Sequence, residues 1–212
     1  NAVKETSNLN ANYLHMLLNS YPLCYRDYNW TIFINNLDEQ DYIISFVYYI
    51  EKGNKYLEES DKKTKLLLIL FSWMLTSSNR VLRDRISKAM IEILKANLYL
   101  SKELLELFKT VNDPYVLQRL YGIIFGAVMK RHDASSDDFE KLALWIYKNI
   151  FNQDMVYPDI LLRDYARLII ERFLYEYPER IETIKKAVIR PPYNSQEIPI
   201  CNSEEYDTLK DK

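Results

Sequence analysis

Residues 81–94 read VLRDRISKAMIEIL, and this stretch decides the fold. Its apolar side chains recur at intervals of three and four residues, which is the pattern of one face of an α-helix. Two later stretches have the same pattern, VLQRLYGIIFGAVM at 116–129 and LLRDYARLIIERFL at 161–174. Aligned without gaps on Leu82, Leu117 and Leu162, the three stretches share seven apolar columns. We therefore predict one helical unit that is used three times, at separations of 35 and then 45 residues.

A second apolar helix precedes each of these stretches, at 66–75, 104–108 and 142–150. Units of two helices and about 40–47 residues are typical of HEAT and armadillo repeats. A single unit cannot bury its apolar face alone, so neighbouring units must stack. The sequence thus predicts an all-α protein, an α-solenoid of HEAT-like antiparallel helix pairs over residues 1–189. Residues 21–37 form an irregular aromatic-rich segment within it, and residues 190–212 are a non-helical, extended, Pro-containing tail or linker.

Side chains that cap helices predict where several helices begin. Ser101, Asp113 and Asp137 each offer an oxygen atom to the unpaired N–H groups of a helix start. Pro158 and Pro178 suit the first turn, where a missing N–H group costs nothing. Residues 32–34 are interpreted as either a short strand or a helical turn. The predicted helices are 8–19, 39–51, 63–76, 79–96, 101–110, 113–130, 137–152, 158–177 and 178–188.

Residue composition argues against catalysis by this chain. Only 3 of the 212 residues are glycine, whereas phosphate-binding loops need several glycines, and no G-x-x-x-x-G-K-[ST] motif occurs. Cys24 and Cys201 form no C-x-x-C pair, and His15 and His132 are isolated, so neither the spacing of metal ligands nor that of a catalytic triad is present. We expect free thiols in a reducing cytosol, no metal or other cofactor, and no enzymatic activity.

The charge balance gives no sign of a nucleic-acid partner. The chain has 28 basic and 30 acidic residues, which gives a net charge of −2 and a pI near 5.8. Nucleic-acid binders usually carry an excess of basic residues. The longest apolar run, at 66–75, is half the length of about 20 residues that a membrane span needs. We expect a cytoplasmic protein with no membrane segment. A nucleic-acid surface would require these basic residues to converge: Arg80, Arg83, Lys88, Arg163 and Arg167.

A polar column accompanies the apolar ones, just after the first aligned leucine of each stretch. We interpret it as a structural ladder, in which each side chain bonds to the adjacent unit, because partly buried charges persist only when they are paired. The alternative is a row of charges that lines a concave ligand surface. The six residues are Arg83, Asp84, Gln118, Arg119, Arg163 and Asp164.

Aromatic side chains supply the candidate partner surface. Aromatic residues are enriched at the centres of protein interfaces, and Tyr28, Trp30 and Tyr193 are the residues that we select from the N-terminal aromatic region and the tail. At helical spacing, however, the same residues also fit an ordinary core, so both interpretations stay open.

Four blocks of the sequence resemble a known family. They are residues 26–31, residues 72–84 together with 88–89, residues 112–122 and residues 161–167. In this order they are similar to blocks in large bacterial NTPases of the STAND/NACHT type, many of which are antiphage defence proteins. In that family, helical repeats that sense a trigger follow an effector and an NTPase. The resemblance implies that this chain is part of the sensor-side repeats.

These observations predict a non-catalytic module for protein recognition or scaffolding. Its partner would be another domain of the same polypeptide, an identical subunit or a foreign trigger protein. The start at Asn1, without methionine, is interpreted as a sign of a longer parent protein. The alternative function is a small hydrolase or ligand-binding domain whose cleft lies among His15, Asp27, Tyr28 and Trp30. A deep cleft with convergent polar groups would favour this alternative, and a broad groove would favour the scaffold.

Overall fold

The computed structural model describes residues 2–37, 41–53, 60–131 and 136–195, and all the regular structure in these ranges is helical, with no strand. The all-α prediction is confirmed. His132, Cys201 and the part of the predicted tail from residue 196 onward lie outside the described residues. The α-helices are α1 (Ala11–Ser20), α2 (Leu23–Arg26), α3 (Ile32–Asn35), α4 (Tyr42–Glu51), α5 (Asp61–Met74), α6 (Arg80–Leu94), α7 (Tyr99–Phe108), α8 (Pro114–Lys130), α9 (Ser136–Ile146) and α10 (Ile160–Glu176).

Two short π-helical turns extend this set. Asp27–Thr31 joins α2 to α3, and Tyr147–Phe151 continues α9. Residues 21–37 are therefore helical over most of their length, and the structure replaces the strand alternative for residues 32–34 with a helical turn. None of the helices in the described ranges is both long enough and apolar enough to cross a membrane.

The contacts between the helices form two series. Helix α6 contacts α4 and α8, and α8 in turn contacts α10; α5 contacts α1 and α7, and α7 contacts α9. Residues 66–75 of α5 and its C-terminal end are buried throughout, as expected of a helix that is apolar on all sides. The buried side chains form one cluster that includes residues from α1 to the segment after α10.

Helices α6, α8 and α10 begin with the same capping contact. Asn79, Asp113 and Asp159 each accept a hydrogen bond from a backbone N–H group three residues later, at distances of 3.2, 3.2 and 2.8 Å. The N–H groups belong to Leu82, Val116 and Leu162. Because the cap marks the first turn of each helix, Val116 is equivalent to Leu82 and Leu162.

The ungapped alignment of the sequence was therefore wrong by one residue in α8, where it placed Leu117 in that column. The exposure of the side chains shows the error. Met129 is 51% exposed, although its column was predicted to be apolar core. Val116 is fully buried, whereas Val81 and Leu161, which the alignment placed in the same column, are exposed. Counted from the caps, six columns are buried in all three helices. They are Leu82/Val116/Leu162, Ile86/Leu120/Ala166, Ala89/Ile123/Ile169, Met90/Ile124/Ile170, Ile93/Ala127/Phe173 and Leu94/Val128/Leu174.

Some predicted helix starts also need correction. Ser101 is buried inside α7 and does not cap it, because the helix begins at Tyr99. Pro158 precedes the cap residue Asp159 and so lies before the first turn of α10. The cap at Asp113, with Pro114 in the first turn, is confirmed.

The predicted helix at 178–188 is a 3₁₀ turn, Pro178–Arg180, followed by further turns. Ile184 and Ile189 of this segment are both fully buried. Residues five apart on a straight α-helix point about 140° away from each other, so a helix could not bury both against one surface. Successive tight turns can, and burial of these two isoleucines therefore outweighs helical propensity. We call residues 178–195 the C-terminal strap.

The strap returns to the start of α10 and is fixed there by hydrogen bonds. The N–H group of Val156 donates to the carbonyl oxygen of Asn194 at 2.8 Å, and the Tyr193 hydroxyl donates to the carbonyl oxygen of Ile189 at 2.9 Å. Residues 190–195 contain no helix. The strap thus brings Tyr193 beside the N-terminal part of α10.

Candidate interaction surface

The polar column lies at the N-terminal ends of α6, α8 and α10, and two hydrogen bonds connect these helices. Arg119 Nη2 donates to Asp84 Oδ1 at 2.7 Å, which joins α8 to α6. Gln118 Nε2 donates to Asp159 Oδ2 at 2.8 Å, which joins α8 to the cap of α10. The hydrogen bond from Arg119 lowers the pKa of the Asp84 carboxyl, so this carboxylate stays charged at neutral pH. Both bonds run between neighbouring helices.

Arg83 and Arg163 each donate a hydrogen bond to the turn before their own helix. Arg83 Nη1 donates to the carbonyl oxygen of Ser77 at 2.6 Å, and Arg163 Nη1 donates to that of Tyr157 at 2.9 Å. Each acceptor lies six residues upstream, in the turn before the helix. The two arginines therefore fix the turns, and the Arg83 guanidinium also lies 5.2 Å from the centre of the Tyr115 ring in α8. Asp164 also stays within its own helix, where it pairs with Arg167.

The turn before α8 is also held by an arginine, but this arginine comes from a different part of the chain. In α8 the position equivalent to Arg83 and Arg163 is Leu117, which cannot donate a hydrogen bond. Arg26 of α2 takes this place: its Nη2 donates to the carbonyl oxygen of Asn112 at 2.9 Å and to Asp113 Oδ2 at 3.0 Å.

Arg26 is fully buried, and its guanidinium lies 5.3 Å from the centre of the Trp73 ring. Burial raises the pKa of the Asp113 carboxyl, against the opposing effect of backbone hydrogen bonds and of the Arg26 charge. Sequence reasoning missed this pair. Two features of the sequence could have indicated it. Arg26 lies in an aromatic-rich segment, and α8 has Leu117 at the position where α6 and α10 have arginine.

Trp73 also organises the residues of the predicted hydrolase cleft. Its indole N–H group donates to His15 Nδ1 at 3.2 Å, and its carbonyl oxygen accepts a hydrogen bond from the Trp30 indole at 2.9 Å. His15 packs against Phe108 as well, with ring centres 4.9 Å apart. Burial lowers the pKa of His15, which favours the neutral ring that accepts this hydrogen bond.

The other three residues of the predicted cleft differ from His15 in their contacts and exposure. Asp27 accepts a hydrogen bond from the Thr31 hydroxyl at 2.8 Å within the π turn, and Tyr28 is 72% exposed. Trp30 is partly buried and anchored, whereas Tyr28 is free to contact a partner. Neither these residues nor His15 line any of the three cavities that are described next.

Two of these cavities lie on the side of the polar column. One, of about 520 Å³, is lined by α10 and the strap, with Arg163 and Tyr193 among its walls. The other, of about 270 Å³, is lined by α6, α8 and α10. Leu161 lines both, so the two depressions adjoin at this side chain, and we call them together the groove. A third cavity, of about 370 Å³, lies between α10 and the strap.

Tyr193, a predicted partner residue, has an intramolecular role in this groove. Its ring lies 5.0 Å from the Arg163 guanidinium and 6.0 Å from the Phe151 ring. Burial raises the pKa of its hydroxyl. Tyr193 therefore anchors the strap and still lines the larger depression.

The five basic residues of the nucleic-acid alternative are each held by acceptors of the chain. Besides the two arginines that fix turns, Arg80 lies 3.5 Å from Asp84 and Lys88 lies 3.4 Å from Glu51. Arg167 bonds to both Asp164 and Glu171. Within the described ranges, no group of three or more His, Cys, Asp or Glu side chains could hold a metal ion.

The chain matches no protein-family model, no curated protein and no solved structure at a significant level.

Proposed function

We propose that this chain is a non-catalytic protein-recognition module in which the helix pairs α5–α6, α7–α8 and α9–α10 stack as a HEAT-like α-solenoid. Two observations support the stacking. Helices α6, α8 and α10 bury the same six positions counted from equivalent caps, and each contacts the next. Stacks of this kind present an extended surface along one row of helices, which suits recognition of another protein.

The observation that carries the proposal is a row of exposed apolar side chains. Val81, Tyr115 and Leu161 occupy the same position, one residue before the first buried column, and are 60%, 40% and 54% exposed. The Tyr115 ring also lies against the guanidinium groups of Arg83 and Arg119, but the exposed part of each of the three side chains adds nothing to the buried core. Contiguous exposed apolar surface marks sites of interaction, and large apolar and aromatic side chains are common at the centres of interfaces.

We further propose that the module belongs to the sensor-side repeats of a larger cytoplasmic bacterial NTPase of the STAND type. The blocks that resemble this family coincide with the turns described above: residues 72–84 contain the cap Asn79, and residues 112–122 contain Asp113 and the two side chains that bond to neighbouring units. The blocks therefore include contacts that would define the proposed repeat. The partner would be another domain of the parent protein, a second copy or a foreign trigger protein, and the module would use no cofactor.

An unbiased selection tests this function. The full chain is immobilised and used to select peptides from a random 12-residue display library, with an unrelated α-helical protein as the control. We expect specific enrichment of peptides that bind saturably, and no hydrolysis of Mg-ATP by the purified chain, because it lacks a phosphate-binding loop. Failure to enrich any peptide over the control, or measurable turnover of ATP, would contradict the proposal.

A further inference from the structure

The groove offers apolar surface that is already exposed. Ile160 and Leu161 are 72% and 54% exposed, and Tyr115 is 40% exposed. Leu161 lies where the two depressions adjoin. Gly122 lines the smaller depression, and the Tyr165 ring packs closely over it, since a Cβ atom at Gly122 would lie 3.1 Å from that ring. The open volume of the groove, about 520 and 270 Å³ in its two depressions, can therefore accept apolar side chains of a ligand.

Positive charge surrounds this apolar surface. The lining contains four arginines but a single carboxylate, Asp164. When the charged residues that contact this lining or its ion pairs are included, the count is six arginines against four carboxylates, in a chain whose net charge is −2. The added residues are Arg80, Arg83, Asp84, Asp159 and Glu171. The groove thus differs in sign from the molecule as a whole. The lining arginines are Arg119, Arg163, Arg167 and Arg190.

The arginines of the groove are held in place before any ligand binds. Arg163 is fixed by the Tyr157 carbonyl and the Tyr193 ring, and Arg190 Nη2 donates to Glu171 at 2.6 Å. Side chains that are already ordered lose little entropy on binding. A guanidinium also keeps N–H groups for a second acceptor, and it pairs well with carboxylates.

We infer that this groove binds a short acidic segment of a partner protein, in which Asp or Glu alternates with Leu or aromatic residues. The inference rests on the proposed function and specifies its site and its class of partner. Apolar side chains of the segment occupy the two depressions on either side of Leu161, and its carboxylates pair with Arg119 and Arg190. Positive charge beside exposed apolar surface selects this composition over a basic or a purely apolar segment.

A designed peptide tests the inference directly. The probe is a fluorescein-labelled 12-residue peptide in which Glu alternates with Leu and Phe, and its binding to the full chain is measured by fluorescence anisotropy. We expect a Kd on the order of 10 µM. The same peptide with Lys in place of Glu should bind at least about tenfold more weakly, and the acidic peptide should lose affinity as salt rises because ion pairs at a surface are screened.

Matched variants locate the binding site. Leu161→Ser should weaken binding at least about tenfold, whereas Met129→Ser should change it less than about twofold. Met129 is 51% exposed, close to the 54% of Leu161, but it does not line the groove. In the same way, Arg190→Gln should weaken binding about fivefold. Arg180→Gln, which changes an equally exposed ion pair with Glu140 outside the groove, should not.

The outcomes separate the inference from the proposed function. Equal affinity for the Glu and Lys peptides, or equal effects of Leu161→Ser and Met129→Ser, would overturn the groove assignment. If the unbiased selection yields peptides while the acidic peptide does not bind, the inference fails and the proposed function stands. If neither yields binding, both fail. All four substituted positions are exposed, so thermal melting monitored by circular dichroism should show a folded protein in every case.

Discussion

Arg26 shows how a single side chain can join distant parts of the chain. It is the only fully buried arginine in the described ranges, and it bonds to residues 86 and 87 positions away. A buried charge is tolerated only when it is paired and hydrogen-bonded. Asp113 supplies the pairing while it also caps α8 through its other oxygen. Loss of Arg26 would thus leave both a buried carboxylate and an unsupported turn.

We predict that Arg26→Met lowers the free energy of unfolding by about 3–5 kcal/mol, because removal of one partner leaves the other charge buried and alone. Adding Asp113→Asn should restore part of this loss, because the uncharged amide still offers an oxygen to cap the helix. Urea unfolding of the wild type, both single variants and the double variant measures the coupling. Strictly additive losses would contradict the pairing.

His15 predicts a pH dependence of stability. Its pKa is lowered by burial from an ordinary value near 6.5, so below that pH the unfolded chain binds a proton that the folded chain does not. The free energy of unfolding should therefore fall as pH drops from 6.5 through the lowered pKa of the folded state, by at most about 1.4 kcal/mol per pH unit.

The control for this prediction is His15→Gln, which offers an acceptor to Trp73 but does not titrate. Its unfolding free energy should depend less on pH between pH 7 and 5 than that of the wild type. His132 is present in both proteins, so its titration cancels in the comparison. The same pH profile in the two proteins would contradict the role of His15.

At the scale of the element, helix caps decide which residues of α6, α8 and α10 enter the core. A cap fixes the residue at which helical geometry starts, and every later side chain takes its direction from that residue. In α8 the cap Asp113 lies one residue earlier, relative to the apolar pattern, than the alignment on Leu117 assumed. The periodicity was read correctly, and only the starting point in α8 was wrong.

Two substitutions in α8 distinguish the two registers. Ile124 is fully buried and Met129 is 51% exposed, although the ungapped alignment expected both to be in the core. We predict that Ile124→Ala lowers the free energy of unfolding by about 2–5 kcal/mol, from lost burial and the cavity that remains. Met129→Ala should change it by no more than about 0.5 kcal/mol, as is usual at the surface. Similar losses for both variants in urea unfolding would contradict the register.

At the scale of the molecule, the C-terminal strap covers the last helix pair. Ile184 and Ile189 are buried with side chains of α9 and α10 in one cluster, and Phe151 packs against Tyr193. The last unit of a stack has a neighbour on one side only, so it needs a cover for its other side. We propose that the strap fulfils this role.

Hydrogen exchange can test both the cover and the stacking. Ile189→Ala removes buried methyl groups from the strap, and we predict faster amide exchange in α10 and α9 but unchanged exchange in α1 and α5. The reason is that in a stack each unit contacts only its neighbours, so local destabilisation stays local. Exchange that accelerates equally in all helices would indicate one cooperative body and would contradict the solenoid proposal.

The sequence by itself determined the all-α class, the main helices and the burial of residues 66–75, because helical periodicity and apolar content are local properties. It also indicated the polar column and the cap at Asp113, since capping depends on side chains next to the helix start. The six predicted polar residues do lie at one end of α6, α8 and α10.

Tertiary structure decided what depends on contacts between distant residues. Arg26 takes the place of the arginine that α8 lacks. The predicted helix at 178–188 is replaced by turns that bury Ile184 and Ile189. Trp30 and Tyr193 are anchored by contacts within the chain. Tertiary structure also formed the groove, because Tyr115, Leu161 and Arg190 meet only when α8, α10 and the strap pack together. None of these outcomes is set by local propensity. Each follows from burying apolar surface and pairing polar groups across the chain, which a residue's sequence neighbours do not specify.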